Sequence, residues 1–149
     1  MKTVVNRRGL LGAGSAMLAF AAFANKAAWA AGSPGLTTHV LDTASGKPGE
    51  GVKIEFSVLE GEAYKLVTTV TTNADGRNAQ PLLTPENMKA GKYQLVFYVG
   101  EYFAKQGTVV PNPPFLEKAV IQFGMADATA HYHVPILVSP WSYTTYRGS

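Results

Sequence analysis

The 149-residue chain contains no cysteine, so no disulfide framework braces it, and any fold it adopts rests on packing and assembly. Acidic residues are missing from its first 30 positions, where Lys2, Arg7, Arg8 and Lys26 stand without a single Asp or Glu. That asymmetry accounts for the formal charge of +3. With those four of the 13 basic side chains set aside, nine face ten acidic ones, a balance of −1. The remainder therefore gives no electrostatic argument for a nucleic-acid partner. A long hydrophobic run is also lacking: Leu10 to Ala24 is shorter than the roughly 20 residues that a membrane span requires, and Gly12 and Gly14 interrupt it. Internal repeats are absent, and the one low-complexity stretch is Ala-rich and N-terminal.

What is present at the N-terminus reads as an export signal over residues 1–30. A basic start precedes the apolar run, and Ala28-Trp29-Ala30 before Ala31 forms an A-x-A cleavage site, which predicts a mature domain over 31–149. Arg7-Arg8 directly ahead of the apolar run resembles a twin-arginine signal, so the expected address is the periplasm, with no membrane attachment after cleavage. A mature chain of that length, with 46% hydrophobic residues overall, predicts one domain with a real core.

Hydrophobic periodicity after residue 35 is mostly two. Val52, Ile54, Phe56 and Val58 alternate with Lys53, Glu55 and Ser57, the pattern of a half-buried strand. Further strands are predicted over Thr37 to Asp42, Lys65 to Thr72, Tyr93 to Val99, Ala119 to Phe123, Tyr132 to Val138 and Tyr143 to Arg147. A short strand near Gln80 to Leu83 completes eight. Turn chemistry at Ser45-Gly46-Lys47-Pro48-Gly49, Glu60-Gly61-Glu62, Asn73-Ala74-Asp75-Gly76 and Ser139-Pro140 separates them at the spacing of an all-β sandwich. Thr84 to Ala90 and Glu101 to Gln106 break the pattern, and the second is expected to form one or two helical turns.

All three histidines lie in or beside predicted strands. Alternation places His131, His133 and Pro135 on one face and Tyr132 and Val134 on the other, so His133 points out of the core if Val134 points in. A lone strand histidine is more often a surface or half-buried side chain than a catalyst. His-x-His plus a distant His39 could also supply three zinc nitrogens, but no Cys contributes and nothing names a fourth group, so no metal is expected. Arg77 follows Asp75-Gly76, where a solvent-exposed turn arginine is the default. At the other end Thr144, Tyr146 and Gly148 share a face, and an aromatic, an arginine, a glycine and a serine make that terminus polar rather than greasy.

Leu36-Thr37-Thr38-His39-Val40-Leu41-Asp42-Thr43, Thr72-Asn73-Ala74-Asp75-Gly76-Arg77, His131-Tyr132-His133-Val134-Pro135 and the segment from Ser139 to Tyr146-Arg147-Gly148-Ser149 resemble the signature blocks of the 5-hydroxyisourate hydrolases, the transthyretin-related proteins. The likeness runs from Leu36 to Ser149 and departs from the usual pattern only at Trp141, Ser142 and Thr144. It implies a transthyretin-like eight-stranded β-sandwich with one short helix. It also implies a homotetramer, a dimer of dimers, with sites at the dimer–dimer interface, and it implies no cofactor. The implied substrate is 5-hydroxyisourate, whose ring amide is hydrolysed. Carried over, the implied catalytic residues are His39, Arg77, His133 and Ser149, and the implied substrate-binding residues are Tyr146, Arg147 and Gly148. A neutral imidazole, with a reference pKa of about 6.5, suits the general base that water needs, and an arginine fork suits a developing oxyanion. A transthyretin-like small-molecule carrier is the alternative; it would call for an apolar channel without paired histidines.

Overall fold

A computed structural model describes residues 33–148. The expected signal peptide, its Arg7-Arg8 pair, its cleavage site and Ser149 lie outside the described residues. Two four-stranded sheets face each other. The first has the order β2-β1-β7-β8, from Lys47–Pro48 (β2), Gly35–Asp42 (β1), His131–Val138 (β7) and Tyr143–Thr145 (β8). The second has the order β4-β3-β5-β6, from Ala63–Thr71 (β4), Lys53–Glu60 (β3), Gly91–Phe97 (β5) and Ala119–Met125 (β6). Every pairing is antiparallel except that of β1 with β7, which joins the two ends of the described chain side by side.

Alternation explains the core. Leu36 and Val40 of β1 with Val134, Ile136 and Val138 of β7 point inward, against Ile54 and Phe56 of β3, Leu95 and Phe97 of β5 and Ile121 of β6. The helix α1 (Val99–Lys105) buries Tyr102 and Phe103. It is tied to the end of β1 because the Tyr102 hydroxyl donates to Asp42 Oδ2 at 3.1 Å. Burial and that carboxylate push the Tyr102 phenol up to about 12. Asp42, though buried, is satisfied by the N–H groups of Ala44 and Ser45 and by the Ser45 hydroxyl.

Three segments differ from the sequence reading. Gln80 to Leu83 forms no strand: it makes a single bridge, with Leu36 N–H donating to Leu83 O and Leu82 N–H donating to Leu36 O, and Pro81 has no N–H to extend it. The eighth strand is Lys47–Pro48, hidden in the Ser45 to Gly49 turn, and its proline is tolerated because the strand is an edge. The last strand ends at Thr145 rather than Arg147. Its register nevertheless resumes, since Ile136 pairs Thr145 and His133 bridges Gly148. The interrupted rung is Pro135 opposite Tyr146, where proline cannot donate to the facing carbonyl and instead accepts a 2.7 Å bond from Thr145 Oγ1. The expected helical turns are found, beginning two residues earlier at Val99.

Candidate active site

The register collects most of the polar candidates on the outer face of the first sheet. Thr37 lies beside His133 and His39 beside Pro135 across the parallel β1–β7 ladder. Gly148 bridges His133 from the other side, with its N–H donating to His133 O at 2.8 Å. Residues directly opposite one another share a face, so His39, His133, Tyr146 and Gly148 all lie on the side away from the core.

Arg77 reaches this face through a self-closed loop. Asn73 Oδ1 accepts from the N–H groups of Asp75 and Arg77, at 3.0 and 3.1 Å, while Asn73 N–H donates to Arg77 O. The loop docks on β1 where Val40 N–H donates to Gly76 O at 2.8 Å. Gly76 has φ +71°, and a Cβ there would sit 2.4 Å from Val40 O, so this junction admits only glycine without a backbone shift. Asn73 and Gly76 thus set where Arg77 emerges, a role that the turn signal marked without explaining.

The electrostatics of the two imidazoles are alike. Burial, and then the Arg77 guanidinium, hold His39 below its ordinary value, with the backbone carbonyl and carboxylate of Asp75 opposing. His133 is lowered by burial first, then by Arg77, His39 and His131, and Thr37 partly offsets them. Both rings therefore favour the neutral, basic form near pH 7. Among the described residues, His39 Nε2 is the one buried side-chain polar atom without a hydrogen-bond partner in the chain. An unpaired buried acceptor costs about 1–3 kcal/mol, which makes this atom a place for a ligand group or water to bind.

The C-terminal candidates divide. Gly148 leaves room over His133: a Cβ would come within 2.6 Å of its Cδ2 atom. Tyr146 is exposed beside it on the same face. Arg147 turns the other way, with its guanidinium 4.9 Å from the Tyr132 ring centroid on the inner side of the sheet. There it helps to line a cavity of about 220 Å³ with Ile121, Phe123 and Val134, rather than joining the imidazoles. Among the described residues, no three His, Asp or Glu side chains form a group able to hold a metal ion. The sequence reading missed Thr37, whose hydroxyl contacts His133 Nδ1 at 2.9 Å; strand alternation with His39 was the available signal.

Comparison with known proteins converges on one family. A profile described as HIUase/Transthyretin family matches residues 36–148. The 5-hydroxyisourate hydrolase of Pseudomonas aeruginosa is 54% identical over 114 residues, covering 76% of this chain and 90% of that protein. The solved 5-hydroxyisourate hydrolase of Klebsiella pneumoniae superposes with a TM-score of 0.62 at 37% identity, covering 76% of this chain and 98% of that one. A sea bream transthyretin structure in complex with thyroxine gives a TM-score of 0.68 at 30% identity, covering 76% and 93%. On the matched span and on the two-sheet architecture alike, the chain belongs to the HIUase/Transthyretin family.

Proposed function

We propose that this chain hydrolyses 5-hydroxyisourate to 2-oxo-4-hydroxy-4-carboxy-5-ureidoimidazoline, a step of urate breakdown in purine metabolism. The observation that carries the reading is the pair of imidazoles biased toward neutrality, His39 and His133, on one half-buried face beside Arg77. One imidazole takes a proton from water as the oxygen adds to the ring amide carbonyl. Arg77 binds the oxygen that becomes negative. The tetrahedral intermediate collapses with cleavage of the ring C–N bond, the imidazolium returns its proton to the departing nitrogen, and a carboxylate remains.

Gly148 and Tyr146 border the substrate on the C-terminal side, and Ser149 is the further catalytic residue that the resemblance implies. Arg147 serves by clamping the terminal segment to Tyr132. The likeness to transthyretin alone would admit a carrier, but two imidazoles and an arginine on this face fit a charge-developing reaction better than an apolar hormone channel. The working form is a homotetramer, as the resemblance implies, with the outer histidine faces meeting at the dimer–dimer interface. The mature domain is exported to the periplasm through the twin-arginine signal, a reading supported by Arg7-Arg8 and the Ala28-Trp29-Ala30 site.

The decisive experiment is a spectrophotometric assay with freshly generated 5-hydroxyisourate. Decay that accelerates in proportion to enzyme concentration is the expected result; decay at the uncatalysed baseline would refute the activity.

A further inference from the structure

Around His133 runs a chain of hydrogen bonds whose direction can be worked out from its far end. His131 Nδ1 lies 3.1 Å from the backbone carbonyl of Ser33. A carbonyl oxygen only accepts, so this nitrogen carries the proton and the Nε2 of a neutral His131 is left as an acceptor. Thr37 Oγ1 lies 3.4 Å from that Nε2 and 2.9 Å from His133 Nδ1. A hydroxyl has one proton to give and lone pairs to spare. Once Thr37 donates to His131, it can only accept from His133, so His133 Nδ1 bears a proton.

The opposite tautomer would demand the single hydroxyl proton of Thr37 for two acceptors at once. The other edge of the ring is kept open by a glycine: any side chain at position 148 would crowd His133 Cδ2, the atom next to Nε2.

We propose that Thr37, oriented by His131, is a positioning residue that holds His133 in the Nδ1–H tautomer and so presents Nε2 as the proton acceptor for water. His39 has no such hydroxyl relay: its ring hydrogen-bonds the Asp75 backbone, and its Nε2 has no partner among the described residues. The inference rests on the proposed hydrolysis only for its consequence in rate. The tautomer itself is a property of the protein alone.

The test begins with nitrogen NMR of the full chain carrying isotopically labelled histidine, at a pH where His133 is neutral. The expected signals are a protonated Nδ1 and an unprotonated Nε2; the reverse assignment overturns the proposal whether or not the protein is a hydrolase. Thr37→Val keeps the shape and removes the hydroxyl. It should populate the Nε2–H form and lower kcat about tenfold, the order expected for one neutral hydrogen bond, with KM little changed. Thr37→Ser should restore both.

Among the described residues, the groups that face His133 and share its titration are Arg77 from the loop, His39 from β1 and His131 from its own strand. None of these is altered by the valine. Loss of the Thr37 acceptor should therefore move the acidic limb of the kcat profile to lower pH. A valine variant with wild-type tautomer, kcat and pH profile would refute the relay. A wild-type protein with the stated tautomer but no hydrolysis would refute the substrate and leave the relay standing.

Discussion

The outer faces of the two sheets each carry a polar cluster, yet the two clusters are built on opposite principles. On the second sheet Lys53 and Glu55 pair at 3.5 Å, the Tyr98 hydroxyl donates to Glu55 at 2.7 Å, and Lys53 and Lys118 sit 4.0 and 4.7 Å from the Tyr98 ring centroid. Lys53, Glu55 and Lys118 each have a partner there and are at least partly open to solvent. Glu55 is held below the ordinary carboxylate value chiefly by the Tyr98 hydrogen bond and then by Lys53, the signature of a contented surface cluster. On the first sheet the imidazoles are half-buried beside a cation, Arg77, with the Asp75 carboxylate as the weakest opposing influence on His39 and, among the described residues, no acidic group acting on His133. Polarity alone does not mark a reactive face. The mark is polarity left incompletely satisfied, as at His39 Nε2, in a place where water is partly excluded.

The most direct way to break the contrast is to remove an imidazole. His39→Ala or His133→Ala should lower turnover by about 10²- to 10⁴-fold, with circular dichroism and thermal unfolding close to wild type because neither ring belongs to the core cluster. Near-normal rates in either variant would reduce the first sheet to the status of the second. Gly148→Ala is the next largest test. Its Cβ would approach His133 Cδ2 to 2.6 Å, and a shift of about 1 Å in a reacting group costs on the order of 10²-fold in rate. Full activity in that variant would show that the terminal segment does not constrain the ring.

Much of this contrast was legible in the sequence, but unevenly. The alternation from Val52 to Phe56 and from Tyr132 to Val138 assigned inward and outward faces correctly, because a period of two is a local property, whereas Ser57, read as outward, is buried where the register shifts after Phe56. The placement of His39, Arg77 and His133 followed from resemblance, not from spacing. What local pattern could not carry was the parallel pairing of β1 with β7. It sets Thr37 against His131 and His133 across 94 and 96 positions, so the relay was invisible until the ladder was known. Arg147 was similarly opaque. Its turn toward Tyr132 accompanies the rung lost at Pro135, which shortens β8 although the register continues. The strand at Lys47–Pro48 went unseen because its residues spell a turn.

A smaller effect, but a sharper one, concerns the charge of Arg77. Arg77→Gln should raise both imidazole pKa values, since the guanidinium lowers each. The base form exists above the pKa, so the acidic limb of the rate profile should move to higher pH. Stability follows the same sign. A histidine whose folded pKa is depressed contributes stability that is present above its unfolded value of about 6.5 and is lost as pH falls through the folded value. Loss of the Arg77 charge should make the stability of the variant less sensitive to acid over that window, as followed by thermal melts. An unmoved rate profile would place Arg77 too far from both rings to act.

The smallest expected effect is the control that completes the comparison, Lys53→Gln with Glu55→Gln on the second sheet. Both side chains are solvent-exposed to a substantial degree, at 40% and 28%, so water replaces what the pair loses. The double change removes one charge of each sign and keeps the net charge constant, so no long-range field is altered at the histidines. The strand register that shapes the core is carried by Ile54 and Phe56, whose side chains lie on the opposite face and are fully buried. Turnover of 5-hydroxyisourate, its pH profile and the melting temperature should all stay close to wild type. A large loss of activity with the fold intact would mean that the second sheet's outer face also contacts substrate or a catalytic partner surface. The distinction between a satisfied and an unsatisfied polar face would then fail as a guide to where the chemistry is.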